Sequence, residues 1–96
     1  MKLDHIAINV TDIDTSLVWY VEELSATVEY KDETWAMLDI GGTKLALTMK
    51  HQHDPHIAFK QVGVPPSQTK THRDNSKYIY CKDPDGNVIE KIWWPR

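Results

Sequence analysis

Apolar and polar residues alternate at the start of the chain, and this period of two predicts a β-strand over residues 3–10. The even positions are mostly β-branched and suit a packed core. The odd positions are small or polar, namely His5, Ala7 and Asn9, and are typical of a wall that faces a cavity. The first strand is therefore expected to separate a core from an open, polar side.

Apolar residues next recur at helical spacing, after a run of residues that cap helices well. Residues 11–14 (Thr-Asp-Ile-Asp) supply N-cap candidates, and a helix is predicted over residues 14–24. Strands are predicted over residues 27–30, 35–40 and 44–49, with a Gly-Gly hairpin turn between the last two. The first part of the chain thus has the order β-α-β-β-β.

The same order begins again after a polar connector at residues 50–55. The segment His5-Ile6-Ala7 recurs as His56-Ile57-Ala58, and residues 39–47 align without a gap on residues 83–91. Self-similarity of this kind indicates that one structural unit is used twice.

The second copy is shorter than the first. Residues 61–67 contain two prolines and a glycine, which disfavour a multi-turn helix, so an extended crossover is expected there. Further strands are predicted over residues 68–72, 78–82 and 87–94, and the Asp-Pro-Asp-Gly-Asn run at 83–87 is typical of a tight turn.

These elements predict an α+β protein with one domain over residues 1–96. It would consist of two βαβββ-type modules, about 1–50 and about 51–96, and the second would lack its helix. Because 96 residues bury only a modest core and the second module is incomplete, a homodimer is expected.

Composition limits the cellular compartment and the classes of binding partner to be expected. The formal net charge is -3 and no basic cluster occurs, which argues against nucleic acid as a partner. The single cysteine, Cys81, excludes an intramolecular disulfide and fits a reducing compartment. No apolar run approaches membrane-spanning length and no signal-peptide pattern opens the chain, so a cytoplasmic protein without a membrane partner is expected.

Three residues stand out as metal-ligand candidates. His5 and His56 hold the same place in the two repeats, and Glu90 lies near the end of the second. If the copies pack about a pseudo-twofold axis, two imidazoles and a carboxylate converge, an arrangement suited to a divalent metal with open positions. The fourth equivalent position is Ala46, which cannot bind a metal. Taken singly, each candidate could instead be an ordinary hydrogen-bonded strand residue.

At these residues the chain resembles the vicinal oxygen chelate superfamily, which includes glyoxalase I, fosfomycin-resistance transferases, extradiol dioxygenases, methylmalonyl-CoA epimerase and bleomycin-resistance proteins. The matching segments are residues 3–13, 56–59 and 80–90. The resemblance implies a cup-shaped mixed sheet that holds a divalent metal (Fe, Mn, Ni, Zn or Co), with His5, His56 and Glu90 at the family's ligand positions. Glyoxalase I has a fourth ligand where this chain has Ala46.

The resemblance also implies a reaction type. A metal with open positions would chelate an oxygen-rich small molecule and act as a Lewis acid, in a lyase, isomerase, transferase or dioxygenase. The catalytic candidates are Glu90, Tyr78, Tyr80 and Arg73, and Asn9, Lys44 and Thr48 are further candidates for supporting roles. The alternative is a metal-free protein that sequesters a small molecule, as bleomycin-resistance proteins do; four Trp and the negative charge favour it.

Overall fold

A computed structural model describes residues 2–95, so the first and last residues of the predicted domain, 1 and 96, lie outside the described residues. Within this range the chain forms one α-helix and eight β-strands. In chain order they are β1 (Lys2–Val10), α1 (Ile13–Leu24), β2 (Thr27–Lys31), β3 (Trp35–Ile40), β4 (Thr43–Met49), β5 (His56–Lys60), β6 (Lys70–Thr71), β7 (Lys77–Lys82) and β8 (Val88–Trp93).

The strands form one mixed sheet in the order β2-β3-β4-β1-β5-β8-β7-β6. This architecture, with α1 the single helix of residues 2–95, confirms the predicted α+β class. The chain divides into two compact units, one of residues 5–55 and one that combines residues 56–95 with residues 2–4. In this range no helix has the length and apolar character needed to cross a membrane.

In the unit of residues 5–55, β1 runs parallel to β4, and β3 pairs antiparallel with β2 and β4. The helix begins as predicted: Asp12 is its N-cap, and the Asp12 carboxylate accepts a hydrogen bond from the Thr15 N–H at 2.8 Å. The core of this unit consists of five buried residues, Ile13, Ala26, Ala36, Leu38 and Leu47. Ile8 and Val10 of the even face of β1 pack against this core as predicted, although the most buried residue of the strand is Ala7 of the odd face, at 2% exposure.

In the unit of residues 56–95, β5 runs parallel to β8, and β7 pairs antiparallel with β8 and β6. No helix forms between β5 and β6, as the prolines and glycine of that segment predict. The predicted strand at 68–72 is shorter than expected, because Lys70–Thr71 are its only paired residues. A turn closed by the Thr69 N–H and the Pro66 carbonyl at 3.3 Å occupies the residues just before it.

The strand register agrees with the ungapped alignment of the two repeats. In the first unit Ala7 of β1 lies opposite Ala46 of β4, and in the second Ala58 of β5 lies opposite Glu90 of β8. Ala46 and Glu90 therefore hold equivalent places in their parallel strand pairs.

Candidate metal centre

The centre of the site is a buried carboxylate next to a buried imidazole. Glu90 lies on β8 opposite Ala58, which is two residues after His56 on β5, so both side chains project from the same face of the sheet. Glu90 is 1% exposed and His56 is 7% exposed. The His56 Nε2 atom lies 3.5 Å from the Glu90 Oε1 atom, within ion-pair distance when the imidazole is protonated.

His5 lies in the middle of β1 and is half-buried. The preceding residue, Asp4, belongs to the same unit as His56 and Glu90. One oxygen of Asp4 accepts a hydrogen bond from the Trp94 indole N–H at 2.9 Å and lies 3.9 Å from the Lys60 ammonium. This segment of β1 is thus held by both hydrogen bonding and charge.

Among residues 2–95, His5, His56 and Glu90 form a group that could hold a metal ion. The chemistry of these donors fits a divalent transition metal, because two imidazole nitrogens and one carboxylate oxygen leave coordination positions open. Burial also fits, since a charged carboxylate in a protein interior needs a partner such as a cation or a hydrogen-bond donor. Their assignment as metal ligands stays a prediction.

Tyr80 adjoins this carboxylate from the neighbouring strand. It lies opposite Glu90 in the β7–β8 register, and its ring meets the His56 ring edge-on, with centroids 5.4 Å apart. Burial is the main cause that raises the pKa of the Tyr80 phenol, and the Glu90 charge adds to it. Tyr80 therefore remains a neutral hydrogen-bond donor and is poorly suited to act as a base.

The structure adds a residue that the sequence analysis did not select. The His72 Nε2 atom lies 2.8 Å from the Glu90 Oε2 atom. Its ring stacks on Tyr78, with centroids 3.6 Å apart and planes at 11°, and Tyr78 in turn meets Tyr80 edge-on at 5.3 Å. The three rings and Glu90 thus make one connected group.

The position of His72 relative to Tyr78 can be inferred from the strand register, but the sequence does not establish that register by itself. Lys70 lies opposite Tyr78 in the β6–β7 register, so His72, two residues after Lys70, shares the face of Tyr78 and Glu90. That inference needs the length of the turn between β6 and β7, which local sequence signals leave open.

Comparison with known proteins identifies the fold family. A family model described as the Glyoxalase/Bleomycin resistance protein/Dioxygenase superfamily matches residues 2–69. The chain belongs to this superfamily. The match covers the N-terminal unit and the start of the next one.

Individual proteins resemble the chain in sequence or in fold. Metallothiol transferase FosB from Staphylococcus epidermidis is 29% identical over an alignment of 114 positions with gaps, which covers 93% of this chain and 79% of that protein. A superfamily member from Vibrio splendidus 12B01 superposes with a TM-score of 0.74 at 16% identity, covering 96% of this chain and 98% of that one. Methylmalonyl-CoA epimerase from Streptomyces coelicolor superposes with a TM-score of 0.72 at 18% identity, covering 100% of this chain and 99% of that one. These structures show the fold.

The remaining candidates expected from the superfamily resemblance occupy other places. Arg73 is exposed in the turn between β6 and β7. The Asn9 amide donates to the Thr48 hydroxyl at 2.9 Å and to the His53 carbonyl at 2.8 Å. The ammonium of Lys44 pairs with Glu29 and Asp39 at 2.6 and 2.8 Å. These contacts give Asn9, Thr48 and Lys44 structural partners within the first unit.

Proposed function

We propose that this protein is a small metal-dependent enzyme in which His5, His56 and Glu90 hold one divalent metal ion that binds an oxygen-rich small molecule. The observation that carries the proposal is the nearly inaccessible Glu90 carboxylate beside the His56 imidazole. A carboxylate and an imidazole so deeply buried suit a cation, and the resemblance to the superfamily predicts both residues as ligands.

The chain's own residues would prepare and shape this site. A bound divalent ion would supply Lewis-acid chemistry, favouring negative charge on a substrate oxygen. Tyr80 keeps its proton, because burial, the Glu90 charge and a hydrogen bond with Glu90 all raise its pKa. The stacked rings of Tyr78 and His72 provide an aromatic surface against which a small molecule could pack.

The reaction class to test first is a transferase. The resemblance to metallothiol transferase FosB favours this class, because the name of that protein describes a transfer reaction and a metal. Lyase, isomerase and dioxygenase chemistry are the other classes in the proposal. Catalytic roles for Tyr78 and Arg73 stay predictions, and the exposed Arg73 would act by binding a negatively charged part of the substrate.

Metal binding tests this proposal directly. Protein purified without chelators or a metal-affinity tag should contain about one divalent ion per chain, and apo protein should gain about 2.7 kcal/mol of stability at a hundredfold excess of ion over Kd. His56→Ala and Glu90→Ala should lose both properties. His51→Ala is the matched control, because His51 is exposed in the connector and should bind metal as the wild type does.

The result that would refute the proposal is apo protein that gains no stability from Mn, Fe, Co, Ni or Zn. Ligand binding that is unaffected by a strong chelator would instead support the metal-free alternative. That second function is favoured by the aromatic group of Tyr78, Tyr80 and His72, which could pack against an aromatic or cationic ligand without a metal.

The proposed enzyme would act as a homodimer. In the crossover between β5 and β6, Val62 and Val64 are 89% and 84% exposed, and burial of such side chains in an interface would contribute stability. Light scattering at micromolar concentration should give about twice the chain mass of 11.1 kDa, and a monomer would contradict the prediction. A cytoplasmic location and the absence of nucleic-acid and membrane partners also stay predictions.

A further inference from the structure

We infer that His72 is a positioning residue for the Glu90 carboxylate: its contact with Oε2 orients the carboxylate that would help to hold the metal ion. The inference rests on the proposed function, since it assigns a task at the same site to a residue outside the predicted ligand set. It concerns metal affinity and coordination, and not a step of the reaction.

The two oxygens of Glu90 face different partners. Oε2 lies 2.8 Å from the His72 Nε2 atom, whereas Oε1 lies 3.5 Å from the His56 Nε2 atom. The contact is a hydrogen bond, and His72 is its donor in the tautomer that carries the proton on Nε2. The terminal torsion of a glutamate is otherwise broad, so a short bond to one oxygen fixes the direction of the other.

His72 can perform this task because its own position is fixed by the β6–β7 turn. The His72 N–H donates to the Ser76 carbonyl at 2.9 Å, and the His72 carbonyl accepts from the Asn75 N–H at 3.0 Å. The Ser76 side chain is fully buried and its hydroxyl donates to Asp74 at 2.6 Å. The face of the imidazole is covered by Tyr78. Backbone bonds and ring stacking therefore orient the imidazole.

The contact also separates His72 from the three proposed ligands. His72 binds Oε2, while the oxygen nearest His56 is Oε1. The group that could hold an ion consists of His5, His56 and Glu90, without His72. A residue that donates to a ligating carboxylate without touching the ion commonly changes metal affinity by about 10–100-fold when it is removed.

Three substitutions separate the hydrogen bond from the packing of the ring. His72→Phe keeps a ring against Tyr78 but has no N–H, so we expect Kd for Co²⁺ to rise by about 10–100-fold. His72→Gln keeps an N–H donor on a chain of similar reach and should recover most of the wild-type affinity. His72→Ala removes both, and where it fails to fold, the comparison of Phe with Gln decides the question.

Two measurements give the readout. Isothermal titration of apo protein with Co²⁺ gives the affinity, and pulsed EPR of bound Cu²⁺ counts the coordinated imidazoles. Wild type, His72→Phe and His72→Gln should all show two imidazoles. His51→Ala again serves as the control for removal of an exposed imidazole.

The outcomes distinguish the two proposals. If wild type binds no metal, the proposed function fails and the role of His72 falls with it. If the wild type binds Co²⁺ and both His72→Phe and His72→Gln bind it as tightly as the wild type, the proposed function stands and the positioning role is wrong. If His72→Phe loses one coordinated imidazole, His72 is itself a ligand, which also overturns the inference.

Discussion

The Tyr80 phenol shows how one side chain is tuned by its place on the sheet. It is the register partner of Glu90, and its ring meets the ring of Tyr78 edge-on. Burial first, and the neighbouring negative charge second, disfavour the phenolate and raise its pKa. The superfamily resemblance made Tyr80 a candidate, but its chemical character as a donor follows only from the strand opposite.

We expect this shift to appear in alkaline unfolding. Because the folded state keeps the Tyr80 proton to higher pH than the unfolded state, stability is intact below the ordinary tyrosine pKa of 10.0 and declines as the pH rises above it. Denaturant midpoints measured from pH 8 to 11 should therefore fall, and should fall less steeply in Tyr80→Phe. Tyr20→Phe, which removes a phenol from the other unit, should follow the wild-type curve; equal slopes in all three proteins would contradict the assignment.

At the scale of elements, local signals were sufficient wherever a strand or helix is defined by its own residues. The helix, predicted at residues 14–24, spans Ile13–Leu24, and the strand predicted at 35–40 has the same bounds as Trp35–Ile40. A capping aspartate and regular periodicity carry the information there. The segment Lys70–Thr71 is different, since its length depends on a turn before it and on pairing with β7.

The same distinction explains what was and was not predicted of the site. The repeat placed Glu90 at the position equivalent to Ala46, and the strand register agrees. His72 was missed because its approach to Glu90 requires the register of two hairpins, β6–β7 and β7–β8. Residues brought together by one parallel strand pair could thus be found from a repeat, whereas those joined through successive hairpins could not.

Over the whole molecule, turns and caps are stabilised by carboxylates whose charge is favoured in the folded state. The pKa values of four aspartates are lowered, each mainly by hydrogen bonds that it accepts: Asp12, Asp32, Asp39 and Asp83. Asp12 caps α1, and Asp83 accepts from the Asp85 and Asn87 backbone N–H groups at 2.9 and 2.8 Å in the turn before β8. The two units therefore share one kind of acid-sensitive support.

Acid should weaken this support in both units. A depressed folded-state pKa stabilises the fold above the ordinary aspartate value of 3.8, and that contribution is lost as the pH falls through the lower folded-state pKa. Denaturant midpoints should thus decline between about pH 4 and pH 2, with no comparable decline from pH 7 to pH 5. Asp83→Asn keeps an oxygen that accepts from the turn but cannot titrate, so it should be less stable than wild type at pH 7 and lose less stability on acidification. Identical acid profiles for the variant and the wild type would show that Asp83 does not contribute to the acid sensitivity of stability. A shallower profile in Asp83→Asn would show that the turn before β8, the strand of Glu90, contributes to it.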